Sequence, residues 1–277
     1  MRCTNAFTWI LISLLAAVPL AGQQAAAPQS PNLLLQRSVT VAGGGGEIRD
    51  VTLAGTARRI AGSTDETGQV ELKALASGEA RLDLIFPSGR TSEVIALGAR
   101  GPVGEWTGED GKAHTIVYHN LLVDAAWFCP TLVLGKMNRT VPGQVVTAAG
   151  AVSSSGENRD RLHVERQPLS VAANLPGEAA KHLQRASRFD IDLDPTTSLP
   201  AEMNFSAHPD NDIRQEIPVR VVYSDYRSVN GAQIPFHVQK FLNNSLILEI
   251  QLETASVNSG VTAAAFTVSD AASRRRQ

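Results

Sequence analysis

The chain has 277 residues, with 25 basic and 27 acidic side chains and only 5% aromatic residues. A formal net charge of −2 at neutral pH, without a basic stripe, excludes the electrostatic footprint of a nucleic-acid binder. The one basic cluster, Arg274-Arg275-Arg276, sits at the C-terminus and reads as a solvated tail.

The first residues read as an export signal. Arg2 is followed by the apolar run Phe7 to Leu20 and then by small residues at Ala21, Gly22 and Ala25 to Ala27. This is the order of a charged region, an apolar region and a cleavage zone. The apolar run is shorter than the ~20 residues a helix needs to span a bilayer. The expectation is a signal peptide over residues 1–22, cut between Gly22 and Ala27, in preference to a retained anchor or permanent membrane span. No cysteine stands at the cleavage zone, so lipid attachment of the bacterial lipoprotein kind is not expected. Cys3 leaves with the signal, and the remaining Cys129 cannot close an internal disulfide. Its setting, Trp127-Phe128-Cys129-Pro130, reads as a buried and inert thiol.

Residues 23–45 are rich in Ala, Gln, Pro and Gly and read as a flexible leader. The glycine run Gly43 to Gly46 lacks the following Lys-Ser or Lys-Thr of a phosphate loop, so a hinge or helix start is expected there. From Val51 the pattern has period two, the mark of half-buried strands. Leu82, Leu84 and Phe86 fall on one face of such a strand, opposite Arg81 and Asp83. A hairpin is expected around Glu109-Asp110-Gly111, because Asp-Gly suits the positive φ angles of tight turns. Asn120 is a candidate cap for a helix running to Trp127 and stopping before Pro130. A second short helix over 130–136 carries a weaker signal. Residues 141–160 suggest short edge strands and a loop, and Pro176 to Ser187 suggest a surface helix.

The C-terminal third is the clearest part. Val219, Val221 and Tyr223 alternate with Arg220, Val222 and Ser224, and Asn230-Gly231 marks a hairpin turn. Ile234, Phe236 and Val238 then alternate, Asn243-Asn244 turns the chain, and Leu246, Leu248, Ile250 and Leu252 alternate again. This is an antiparallel meander with one apolar and one polar face. No long crossover helices separate the strands, which disfavours a parallel sheet. Residues 46–268 are expected to form a single β domain, with 269–277 as a disordered basic tail.

The chemical motifs fail one by one. Asp190-Ile191-Asp192-Leu193-Asp194 resembles the start of a calcium loop. Pro195 stands where its glycine belongs, however, and Ala201 where its glutamate belongs. A strand with Ile191 and Leu193 inward and the acids outward is the preferred reading. The six histidines form no HExxH or HxH pattern and no CxxC is present, so neither a metal site nor a cofactor is expected. No GxSxG elbow occurs, and a hydrolase would have to assemble Ser or Asp with His from distant positions inside a cleft. The apolar set Leu82, Leu84, Phe86, Trp127, Tyr223, Phe236 and Ile250 either lines a ligand cavity or forms the core beneath the helices.

Three motifs in order carry a family resemblance. They are Leu193-Asp194-Pro195-Thr196-Thr197-Ser198-Leu199-Pro200, then Ser224-Asp225-Tyr226-Arg227 with Val229-Asn230-Gly231 and Ile234-Pro235-Phe236, and last Val257-Asn258 with Ala265-Phe266. Together they resemble the LolA/LolB-like proteins of the lipoprotein-localisation fold. The resemblance implies a mainly β, antiparallel, unclosed half-barrel with a few short helices covering its concave face, the Asn120 to Trp127 helix serving as a lid. It also implies a non-catalytic carrier in the periplasm or outer envelope of a Gram-negative bacterium. The implied partners are an apolar ligand, such as a lipid or lipoprotein acyl chain, and other envelope proteins. This chain is longer than a typical carrier and lacks the lipid-attachment cysteine of the anchored branch. A structural module with a self-filled core is the alternative, and an envelope hydrolase a more distant one.

Overall fold

The computed structural model describes residues 30–269, apart from 100, 140, 155 and 168–176. The expected signal peptide, the start of the leader and the tail beyond Ser269 lie outside these residues. Among the described residues thirteen strands run in chain order. The first six are β1 (Asp50–Ala61), β2 (Thr64–Leu75), β3 (Ala80–Phe86), β4 (Gly89–Gly98), β5 (Gly101–Thr107) and β6 (Ala113–Thr115). The remaining seven are β7 (Gln144–Ser154), β8 (Glu157–Arg166), β9 (Phe189–Leu193), β10 (Pro200–Ala207), β11 (Ile217–Val229), β12 (Ala232–Leu242) and β13 (Ser245–Val257).

They form one sheet in the order β6-β5-β4-β3-β2-β1-β13-β12-β11-β10-β9-β8-β7. Every pairing is antiparallel. The first and last strands meet in the middle, Val51 opposite Val257 and Ala57 opposite Ile250. The two halves thus spread outward from a central β1–β13 pair, which leaves β6 and β7 as edges that do not pair with each other. The sheet is therefore unclosed, as the resemblance implied. The chain between β6 and β7 connects the two edges, and its residues 118–137 cross the apolar face. That crossing fills the concavity and sets the site.

Alternation places the core on this inner face. Leu53, Leu72, Ile191, Met203, Val221, Ile234 and Ile250 are each almost wholly buried. Helix α2 (Pro130–Met137) lies over them with Pro130, Thr131, Leu132, Val133, Leu134 and Met137 buried. Pro130 occupies the first turn, where its fixed φ favours the helix and its missing N–H costs nothing. A 3-10 turn, Tyr118–Leu121, precedes it. The expected helix from Asn120 to Trp127 is thus replaced by this short turn and an irregular segment, and the helical covering falls on 130–137. Asp124 explains part of the break: its carboxylate accepts the Ala126 N–H at 3.0 Å, a local bond that competes with a helical ladder.

The leader also needs correction, since Pro31–Gly43 form helix α1 with Leu34, Leu35, Ser38 and Ala42 buried. Gly44 ends it in the left-handed region, φ 61°. A Cβ there would sit 2.0 Å from the Gly231 carbonyl oxygen at the β11–β12 turn. The glycine run is therefore a helix exit packed on a hairpin, and not a helix start. Residues 144–166 form a long β7–β8 edge hairpin with a bulge between Ala148 and Gly150, longer than the short strands expected. Helix α3 (Gly177–Ala186) occupies the expected surface position. The turns agree with their motifs. Asp194 accepts the backbone N–H groups of Thr196 and Thr197 at 3.0 and 2.7 Å, and Phe266 is buried in a closing 3-10 turn, Ala263–Phe266.

Candidate ligand-binding cleft

Where residues 121–125 pass the β4–β5 end of the sheet, two neighbouring cavities open. The first, of about 270 Å³, has apolar walls that include Ile95, Leu97, Leu121 and Val123, and it carries Lys136, Arg139 and Arg166. The second, of about 230 Å³, is bounded by Ile116, Trp127 and Phe205 together with Glu93, Asp124 and Lys240. Ile95, Val123 and Ala125 border both, so the two form one cleft.

The wall between the sheet and solvent is anchored at several points. Asn120 exchanges hydrogen bonds with the His208 backbone, donating to its carbonyl at 2.8 Å and accepting from its N–H at 3.1 Å. The Tyr223 hydroxyl donates to the Trp127 carbonyl at 2.5 Å, and Thr131 Oγ1 donates to the Gln233 carbonyl at 2.5 Å. The segment is thus tied to the rest of the protein at residues 120, 127 and 131.

The charges of the cleft are unevenly compensated. Lys136 Nζ lies 2.9 Å from Asp124 Oδ2, with Asp124 almost fully buried. Burial opposes ionisation of that carboxyl, but the Lys136 charge and hydrogen bond and the Ala126 N–H outweigh it and hold its pKa below the ordinary value. Arg139 pairs with the exposed Glu47 at 2.8 Å. Arg166 has a buried Nε with no hydrogen-bond partner among the described residues. Lys240 Nζ sits 4.1 Å from the centroid of the Trp127 ring, a cation–π contact. Burial draws its pKa down, with the charge of Glu93 acting the other way.

Of the seven apolar residues named from the sequence, Trp127 borders the second cavity. Leu84, Phe86, Tyr223, Phe236 and Ile250 belong to the buried core, and Leu82 packs partly buried against it. None of these six lines either cavity of the cleft. Lys240 was legible as an irregularity: it follows Ile234, Phe236 and Val238 at the same parity, a cation where the apolar face continues. The cavity walls from Ile116 to Ala125 fall in irregular backbone with no period to read.

Two other constellations differ from the cleft. Ser224 Oγ lies 2.9 Å from His237 Nδ1, and His237 Nε2 lies 2.8 Å from Glu249 Oε1, the connectivity of a Ser–His–acid triad. Ser224 and His237 are cross-strand partners, and alternation sets all three opposite the core face. Hydrolysis also needs oxyanion donors around a bound acyl group, and the cleft cavities touch none of the three. A further cavity of about 560 Å³ lies by α3, lined by His163, Arg185, Arg188, Asp190 and Glu216 among others. It is larger, but its charges are already paired: His163 with Asp190 at 2.6 Å, Arg185 with Glu216 at 3.7 Å, and Arg188 with Glu165 at 3.0 Å. Among the described residues no three His, Cys, Asp or Glu side chains gather as a metal site, and no helix is long and apolar enough to cross a membrane.

The fold has counterparts in solved structures. A domain from Vibrio parahaemolyticus named for outer membrane lipoprotein sorting superposes with a TM-score of 0.52 at 11% identity, over 86% of this chain and 96% of its own. A LolA superfamily protein from Nitrosomonas europaea gives 0.51 at 8% identity, over 87% and 98%. A DUF1329 family protein from Desulfovibrio piger gives 0.51 at 10%, over 86% and 98%. These define the class: the chain has the LolA-like fold, an unclosed antiparallel sheet with helices over its inner face. No protein-family model matches the sequence, and no curated protein does.

Proposed function

We propose that this protein is an exported, non-catalytic binder or carrier of an apolar ligand, such as a lipid or a lipoprotein acyl chain. The observation that carries the reading is the cleft: two cavities sharing apolar walls, between the open end of the sheet and the segment that crosses it. Small-molecule pockets start at roughly 300 Å³. Either cavity alone falls short of that, and the pair reaches it. Acyl chains need area more than directional contacts, and each buried CH₂ contributes about 0.8 kcal/mol. The named role of the Vibrio domain in lipoprotein sorting supports the same class of ligand. The apolar N-terminal run followed by small residues supports export, to the periplasm or outer envelope of a Gram-negative bacterium.

The test is native mass spectrometry with lipid extraction of the purified protein, followed by titration with a fluorescent fatty acid. Co-purified lipid or saturable binding is expected. An empty protein that also rejects the probe contradicts the reading.

One observation favours a second reading, an envelope interaction module with a self-filled interior. Helix α2 is buried along most of its length, so much of the concavity holds the protein's own side chains. Hydrogen exchange separates the two: slow exchange throughout 116–129, unchanged by added fatty acid, favours the module.

A further inference from the structure

We infer that the ligand of this cleft is an amphiphile with an anionic head, and that Arg166 is its counter-ion. This rests on the carrier reading and narrows it to a chemical class. The first cavity is lined by three cations, Lys136, Arg139 and Arg166, and by no acid; its remaining walls are mostly apolar, including Ile95, Leu97, Leu121 and Val123. Two of the three cations are already matched. Lys136 is paired with Asp124 at 2.9 Å, and Arg139 with Glu47 at 2.8 Å. Arg166 is not. Its backbone N–H bonds to Ser187 Oγ at 3.0 Å, but its guanidinium makes no hydrogen bond or ion pair among the described residues, and its Nε is buried without a partner.

A guanidinium donates through a planar fork that matches carboxylate or phosphate oxygens in pairs. Leaving the Nε donor buried and unbonded is costly, so the cavity has room for an acceptor that the described residues do not supply. The neighbouring cavity settles the orientation. There Lys240 is accompanied by Glu93 and Asp124, so it carries no excess of positive charge, and the apolar surfaces of Ile116, Trp127 and Phe205 suit a hydrocarbon tail. The head therefore lies against Arg166, and the chain passes Ile95 and Val123 toward Trp127.

The experiment compares dodecanoate, dodecyl phosphate and dodecanol on the full protein, by displacement of a neutral apolar dye. One of the two anions is expected to bind roughly tenfold tighter than the alcohol, the scale of a hydrogen bond to a charged group. Arg166→Gln is expected to erase that preference, bringing the affinity of the anion down to that of dodecanol in the same variant, and Arg166→Lys to keep part of it. Thermal melts of both variants check that the fold is intact, and the Lys variant keeps the test valid if the Gln variant melts early. Equal affinities for all three ligands, or a preference that survives in Arg166→Gln, overturn the inference and leave the carrier reading standing. Rejection of all three, the alcohol included, overturns both.

Discussion

The Tyr223 hydroxyl donates to the backbone carbonyl of Trp127 at 2.5 Å, tying the middle of β11 to the irregular segment that walls the cleft. This bond fixes where the indole of Trp127 stands, and with it the place of Lys240 over that ring. Tyr223→Phe keeps the ring and leaves the Trp127 carbonyl without this donor. A loss of about 1–3 kcal/mol is expected, read as a lower denaturant midpoint at unchanged slope. An unchanged midpoint would show that the segment is held by its apolar contacts alone.

Alkaline pH tests the same region. Burial raises the Tyr223 and Tyr226 hydroxyls well above their ordinary 10.0, and pushes the Cys129 thiol from 9.0 up to about 12. The unfolded chain releases these protons at the ordinary values while the folded chain keeps them. Their stabilisation is therefore complete below about pH 9 and is lost as pH rises through 9 and 10. Lys240 works with opposite sign, because its lowered value means the unfolded chain holds the extra proton. With three groups against one, the melting temperature is expected to fall above pH 9, and Tyr223→Phe to flatten the decline above pH 10. A melting temperature constant to pH 11 contradicts this.

The Asp124–Lys136 pair is the buried charge contact of the cleft. Asp124→Ala leaves the Lys136 ammonium uncompensated beside apolar walls and removes the bond to the Ala126 N–H. A cost of about 3–5 kcal/mol is expected. Because the folded Asp124 carboxyl titrates below its ordinary 3.8, its contribution is present above that value and lost as pH falls beneath it. Acid unfolding of the wild type is expected to be steeper than that of the variant, as followed by circular dichroism.

Much of the sheet was legible, because a period of two is a local property. Asn230-Gly231 and Asn243-Asn244 turn with positive φ at all four residues, and the strands between them keep the alternation read from their side chains. The helices were less legible for physical reasons. Helix α2 is buried on nearly every side, so it has no polar face to give it a helical period. Helix α1 buries Leu34 and Leu35 while Leu33 is 64% exposed, and its small residues mimic a linker. Asp192 was expected to face outward, and it does lie opposite the core. It is nonetheless fully buried, held by both oxygens to Arg161 at 2.6 and 2.7 Å, a partner on another strand that no local pattern reveals. Of the apolar set proposed from the sequence, Trp127 alone borders the cleft, and the cations at 136, 139 and 166 meet only through the chain crossing between β6 and β7.

Gly68 tests the sheet itself. A Cβ there would lie 2.0 Å from the Ile85 carbonyl oxygen and 2.8 Å from Cδ1 of Phe86, so β2 and β3 approach too closely for any side chain. Gly68→Ala is expected to cost about 1–3 kcal/mol in chemical denaturation. A neutral outcome would show that the two strands part without strain.

The central claim, that an acyl ligand occupies the cleft beside Trp127, is tested most directly by fluorescence quenching with a bromine-labelled fatty acid. Saturable quenching is expected in the wild type and in Trp106→Phe, since Trp106 is 42% exposed on β5 and stands outside both cavities. The quenching is expected to disappear in Trp127→Phe while binding, followed separately by lipid extraction, persists. Quenching that survives in Trp127→Phe, or a wild type that shows none at saturating fatty acid, contradicts the account.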